Sequence, residues 1–152
     1  MSEYDIRAVE AAAAQGLRHA VLDPRASTDR FQDVGDEAPS TLHLGGFRGE
    51  HLAGVASIAR RRSPDETGGD AWRLHGVAIE HGHRGWGLGA QLLERCLEHA
   101  AVHQARLVWC DTPAGTFGFF ERFGFHRVGD PFTVGGIPHY RMAVRFLASE
   151  PR

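Results

Sequence analysis

The residues best suited to chemistry lie between Val77 and Ala90, where the chain reads VAIEHGHRGWGLGA. An apolar run gives way to a cluster containing Gly82, His83, Gly85, Gly87 and Gly89, and a strong helical pattern follows at once. A helix N-terminus presents backbone N–H groups and a partial positive charge, and glycine lets the chain approach a phosphate without a Cβ in the way. The chemistry implied is anion binding of pyrophosphate size. The stretch contains no GxGxxG and no Gly-Lys-Ser/Thr, so a nicotinamide dinucleotide or ATP fits poorly. Taken alone, a tight strand-to-helix connection with packing glycines would also read this way. A second concentration, FFERFGF over Phe119 to Phe125, sets aromatics at helical spacing, a pattern more often of core than of a binding surface.

Histidine titrates near neutral pH and so suits a general base, which singles out His75 on the run entering the glycine cluster and His139 near the C-terminus. Cys110 and Asp111 are weaker candidates, and a covalent role for Cys110 is not expected. The chain has ten histidines, and two pairs have ligand-like spacing, His81 with His83 and His99 with His103. A pair does not make a zinc site without further donors, so no metal is expected. Arg60, Arg61 and Arg62 form a short basic run that is left unassigned.

The motif Arg84-x-x-Gly87-x-Gly89 after Val77, Ala78 and Ile79 resembles the acetyl-CoA motif of the GNAT acetyltransferase superfamily. Phe119 to Phe125 resembles the second signature of that family, an aromatic pair followed by charge and then Gly-Phe, in the expected order and spacing. The resemblance implies that Arg84, Gly85, Trp86, Gly87, Leu88, Gly89 and Ala90 hold the CoA pyrophosphate. It implies further that Val77, Ala78 and Ile79 polarise the thioester, and that Phe119 and Phe120 contact the CoA arm. It departs from the family where chemistry is done. The usual tyrosine of the second motif is matched by Phe120, which has no proton to give, and the glutamate positions of other members are matched by Arg73 and Val108. His139, on a loop read from Gly135 to Tyr140, is then the first choice as base, with His75 second.

Elements that would position these residues can be read from periodicity. Tyr4 to Val9 reads as a strand, and Val9, Ala13, Leu17, Ala20 and Val21 recur at helical spacing up to Pro24. Residues 23–40 read as loop. Thr41 to Phe47 and His51 to Ala59 make a hairpin, Arg60 to Asp70 an exposed connection, and Trp72 to Ile79 a strand. Leu88, Leu92, Cys96 and Ala100 form the stripe of a long helix, followed by a strand at Arg106 to Asp111 and a short helix at Thr116 to Phe123. His126 to Val128 and Tyr140 to Phe146 complete the strands. This order is α+β, and with the resemblance it becomes a GNAT-like three-layer fold, a mixed central sheet of six to seven strands flanked by helices, in one domain over residues 1–152.

A net charge of −2 provides no basic field for nucleic acid or an anionic membrane. Two cysteines are too few for a disulfide framework, and neither a signal-like start nor a bilayer-spanning apolar run is present, so a cytoplasmic protein is expected. The expected activity is N-acyl transfer from acetyl-CoA directly to a primary amine of a small molecule, with a homodimer implied by family likeness alone. Two rivals are a non-catalytic acyl-CoA-binding module, suggested by Phe120 and Arg73, and a nucleotide-phosphate-binding domain of unrelated chemistry.

Overall fold

The computed structural model describes residues 3–22, 38–65 and 68–146. In chain order these form β1 (Asp5–Ala8), α1 (Ala11–Leu22), β2 (Leu42–Arg48), β3 (His51–Arg60), β4 (Ala71–Ile79), α2 (Leu88–Val102), β5 (Leu107–Pro113), α3 (Phe117–Glu121), β6 (His126–Arg127), β7 (Phe132–Val134) and β8 (Ile137–Arg145). Short 3₁₀ turns precede α2 at His81–His83 and α3 at Ala114–Thr116. The strands follow the order β1-β2-β3-β4-β5-β8-β6, with β7 paired to β8. The pairing of β4 with β5 is parallel, and those of β1 with β2, β2 with β3, and β8 with β5, β6 and β7 are antiparallel. This is the expected α+β class with a mixed sheet, of eight strands among the described residues against about six to seven expected.

The extra strand corrects the loop read from Gly135 to Tyr140. Val134 pairs with Ile137 across Gly135 and Gly136, whose φ angles of 56° and 80° are both left-handed. That is the backbone of a two-residue hairpin turn. The Gly-Gly pair therefore reverses the chain, and His139 belongs to a strand. The loop expected over residues 23–40 lies largely outside the described residues.

Contacts divide the chain into two compact units, one of residues 1–59 and 75–99, the other of residues 60–74 and 100–152. In the first, Ala14, Leu17, Val55 and Ala78 form a buried cluster backed by Val9, Val21 and Leu52. The stripe expected on α1 is rotated: Ala11, Ala14, Leu17 and Arg18 are buried, whereas Ala13 and Ala20 are exposed. An alanine-rich helix offers nearly the same weak apolarity on every side, so its partners, not its own pattern, select the face. The expected stripe of α2 is buried throughout, at Leu88, Leu92, Cys96 and Ala100. In the second unit Ala71, Leu107 and Trp109 pack with Ala143.

Candidate functional site

In the first unit, β4 delivers the chain to the glycine cluster along a strand that is itself kinked. Gly76 sits in mid-strand at φ +65°, a conformation other residues rarely adopt. Its carbonyl accepts from Arg18 Nε at 3.1 Å. Arg18 is only 3% exposed, and its Nη2 also donates to Ser57 Oγ, which lies 2.6 Å from Nδ1 of buried His43. A buried guanidinium is tolerable only where acceptors surround it. Arg18, Ser57 and His43 thus brace the kink from within, just before Val77, Ala78 and Ile79.

Beyond Ile79, the Glu80 N–H donates to Ala53 O at 2.9 Å, tying the strand end to β3. The 3₁₀ turn His81–His83 leads to an extended Arg84, whose Nε donates to Ile79 O at 3.1 Å. Gly85 and Gly87 both adopt φ +83°, and a Cβ at either would meet no atom within 4 Å. Backbone conformation, not crowding, selects glycine here, and the absent side chains leave open space in front of the turn. Gln91 N–H bonds to Gly87 O at 3.1 Å, so Gly87 caps α2 and the amides of Leu88, Gly89 and Ala90 have no intrahelical acceptor. Trp86, between the two glycines, is 61% exposed.

What holds this helix start in place was not visible in the motif. Leu88 is 1% exposed. Gly46 and Gly54 are cross-strand partners of the β2–β3 hairpin, and a Cβ on Gly46 would collide with Leu88. A Cβ on Gly54 would stand 2.7 Å from Ile79 Cδ1 and 2.9 Å from Leu88 Cδ2. The two glycines form a notch that receives the first side chain of α2. Two glycines facing each other across a hairpin were the available signal.

In the second unit, Thr116 Oγ1 bonds Thr112 Oγ1 and Pro113 O and so turns the chain from β5 into α3. Gly124 ends that helix at φ +87°, and Phe125 N–H returns to Phe120 O at 3.2 Å. Phe125, at 1% exposure, then packs on buried Phe120 with ring centroids 5.5 Å apart. The Gly-Phe of the second motif is therefore a helix stop and a core anchor. Phe119 is half-buried, stacked edge-on against Phe120 at 5.1 Å, with Arg122 over its ring. Arg73 and Val108, where the resemblance would look for glutamate, are half-buried over Trp109 and fully buried, respectively.

Among the titratable candidates the structure discriminates. His139 is half-buried on β8, opposite Pro113 of β5 and Phe132 of β7. Its Nδ1 lies 2.9 Å from Ile137 O. A carbonyl only accepts, so Nδ1 is the donor to Ile137 and Nε2 is the nitrogen left to exchange a proton. His75 is half-buried on β4 in the first unit, and the two histidines are not brought into one unit. Asp111 is committed: Arg141 donates through Nε to Oδ1 at 2.7 Å and through Nη2 to Oδ2 at 3.1 Å. Arg141 also reaches Asp65 at 3.3 Å, and its hydrogen bonds to Asp111 raise its pKa further. Burial pushes the Cys110 thiol up to about 12, with Asp111 adding to the shift and Arg73 opposing it. Neither Asp111 as base nor Cys110 as nucleophile fits these surroundings.

Residues 7–146 match the family model described as an acetyltransferase (GNAT) domain. An uncharacterized N-acetyltransferase of Bacillus subtilis, YitI, is 26% identical over 143 residues, covering 94% of this chain and 96% of its own. Protein ElaA of Escherichia coli is 29% identical over 121 residues, 74% of this chain and 73% of its own, and its crystal structure superposes with a TM-score of 0.69 over 92% and 98% of the two chains. An aminoglycoside 6'-N-acetyltransferase solved with coenzyme A superposes with a TM-score of 0.73 at 13% identity, over 97% and 99% of the chains. Nothing in these relatives supports a non-catalytic binding module. The chain belongs to the GNAT family and is an acyl-CoA-dependent N-acetyltransferase with acetyl-CoA as donor.

Proposed function

We propose that this chain, as one acyltransferase domain, acetylates the primary amine of a small molecule by direct transfer from acetyl-CoA in a ternary complex. The observation that carries the reading is the turn at Gly85 and Gly87, left-handed and open in front, ahead of three amides at the positive end of α2. Leu88, Gly89 and Ala90 offer those amides to the pyrophosphate, with Arg84 and Trp86 exposed beside them. Val77, Ala78 and Ile79 offer backbone groups to the thioester carbonyl, where an N–H would stabilise the developing oxyanion. Phe119, the less buried of its pair, is the one open to contact the CoA arm.

In the transfer itself the amine nitrogen bonds to the carbonyl carbon, the C–S bond breaks, and the ammonium proton must leave. His139 Nε2, the nitrogen left to exchange a proton, is assigned to take it, with His75 as the second choice. Phe120 cannot protonate the departing thiolate. A small acceptor is supported by the net charge of −2, which gives no field for nucleic acid. No described helix is long and apolar enough to cross a membrane. Two free, buried cysteines support a cytoplasmic placement, and a homodimer is carried over by family likeness.

Gly87→Val tests the turn, because a β-branched residue at φ +83° is strained and its branches enter the open space. Calorimetric titration should show acetyl-CoA affinity reduced by about 100-fold with the thermal transition within a few degrees of the parent's. Unchanged affinity would remove the turn from the site.

A further inference from the structure

The first unit contains a second cluster of chemically capable side chains, next to the glycine turn but unused by the transfer. His51 opens β3, Glu80 follows the last residue of β4, and His83 closes the 3₁₀ turn. One donor atom from each lies within 4.8 Å of the other two. His51 Nε2 is 2.6 Å from Glu80 Oε1, and His83 Nε2 is 3.8 Å from the same oxygen.

The backbone makes this convergence a built feature. Glu80 N–H is fixed to Ala53 O at 2.9 Å, two residues along β3 from His51, and His83 N–H is fixed to Glu80 O at 3.0 Å. His83 is held at its far side too, since its Nδ1 lies 2.9 Å from the hydroxyl of Tyr4, a residue only 6% exposed. Because the Tyr4 hydroxyl can accept as well as donate, Nδ1 can hold the proton when an ion is bound, which frees Nε2 to ligate it. Metal-binding histidines are commonly oriented in this way, by a partner on the other ring nitrogen.

We propose that His51, Glu80 and His83 bind one divalent transition-metal ion of the zinc class, the fourth position being open to solvent. Two imidazoles and one carboxylate suit zinc and its neighbours, whereas calcium and magnesium favour all-oxygen sets. Donors on a tetrahedral zinc stand about 3.3 Å apart, given metal–nitrogen bonds of about 2.0–2.1 Å. The 3.8 Å separation is close to this, and the 2.6 Å contact opens toward it as the ion takes the place of the His51–Glu80 hydrogen bond. Side-chain exposures of 58%, 31% and 18% for His51, Glu80 and His83 leave the site reachable from solvent. The pair His81 and His83 seen in the sequence lacked a third donor; the fold supplies the missing ones from β3 and from Glu80. Because His83 directly precedes Arg84, the ion would pin the entry to the glycine turn.

The test is titration of the untagged, chelator-treated full chain with Zn²⁺ in competition with a chromophoric chelator, and with Co²⁺ as a spectroscopic probe. One ion per chain is expected, with intense tetrahedral-type Co²⁺ bands. His51→Ala and Glu80→Gln, both at exposed or partly exposed positions, should weaken binding by more than about 100-fold, and Tyr4→Phe by about 10-fold. The double variant His99→Ala with His103→Ala should bind as the parent does. Binding no tighter than on the order of 100 µM, or tight binding that survives His51→Ala and Glu80→Gln, would overturn the proposal.

Discussion

At the turn between β4 and α2 the groups left without an intrahelical acceptor are backbone amides, whereas at the β5–β8 strand ends the polar groups are side chains already bonded to one another. Leu88, Gly89 and Ala90 keep their amides available because Gly85 and Gly87 bend the chain with no Cβ in front of it. Asp111, by contrast, spends both oxygens on Arg141, which also holds Asp65. Under the proposed function, the first region is the one that receives the anion. The second is a network in which Arg141 ties Asp111 to Asp65. Under the proposed function, substitutions at the turn test binding and a substitution at His139 tests proton transfer.

The largest separation is expected from His139→Ala. Loss of a general base costs roughly 10²- to 10⁴-fold in rate, so kcat should fall by that order while acetyl-CoA affinity stays within about twofold. A pH–rate profile identical to the parent's would retire His139 as base. Next in size is Gly54→Val, which drives a branched side chain into Ile79 and Leu88. Overpacking of this kind costs about 1–3 kcal/mol, and the displaced helix start should also weaken acetyl-CoA binding. Stability loss without any change in affinity would uncouple the glycine notch from the turn.

Ser57→Ala should follow, at about 1–3 kcal/mol, because it strips an acceptor from buried Arg18 and a partner from His43. Chemical denaturation of the variant checks the number. A further effect, confined to high pH, concerns the thiols. Burial raises Cys96 and Cys110 from an ordinary 9.0 to about 12 in the folded chain. A folded pKa above the unfolded one gives stability that is complete below pH 9.0 and lost as pH climbs toward 12. Denaturation midpoints should fall over that window, and neither thiol should react with a disulfide reagent at pH 8 until the chain unfolds.

The same contrast explains how much could be read from the sequence. Gly85, Gly87 and Gly124 declare themselves because a left-handed backbone leaves few alternatives to glycine, and each stands beside a strong helix signal. The long stripe of α2 was legible for a related reason, since a full apolar face over four turns admits one reading. Partners set by the register of distant strands were not legible. Nothing near Asp111 in sequence announces Arg141, and nothing near Glu80 announces His51. The alanines of α1 could not say which face would be buried, and the short β7 was hidden by a Gly-Gly pair read as loop.

The central claim is that the turn receives acetyl-CoA and the chain passes its acetyl group to a small amine. One preparation, titrated calorimetrically with acetyl-CoA and then assayed for thiol release across a panel of small amines, tests it most directly. The account predicts saturable binding and release of one thiol per amine acetylated with at least one member of the panel. Absence of acetyl-CoA binding by a folded chain would contradict it.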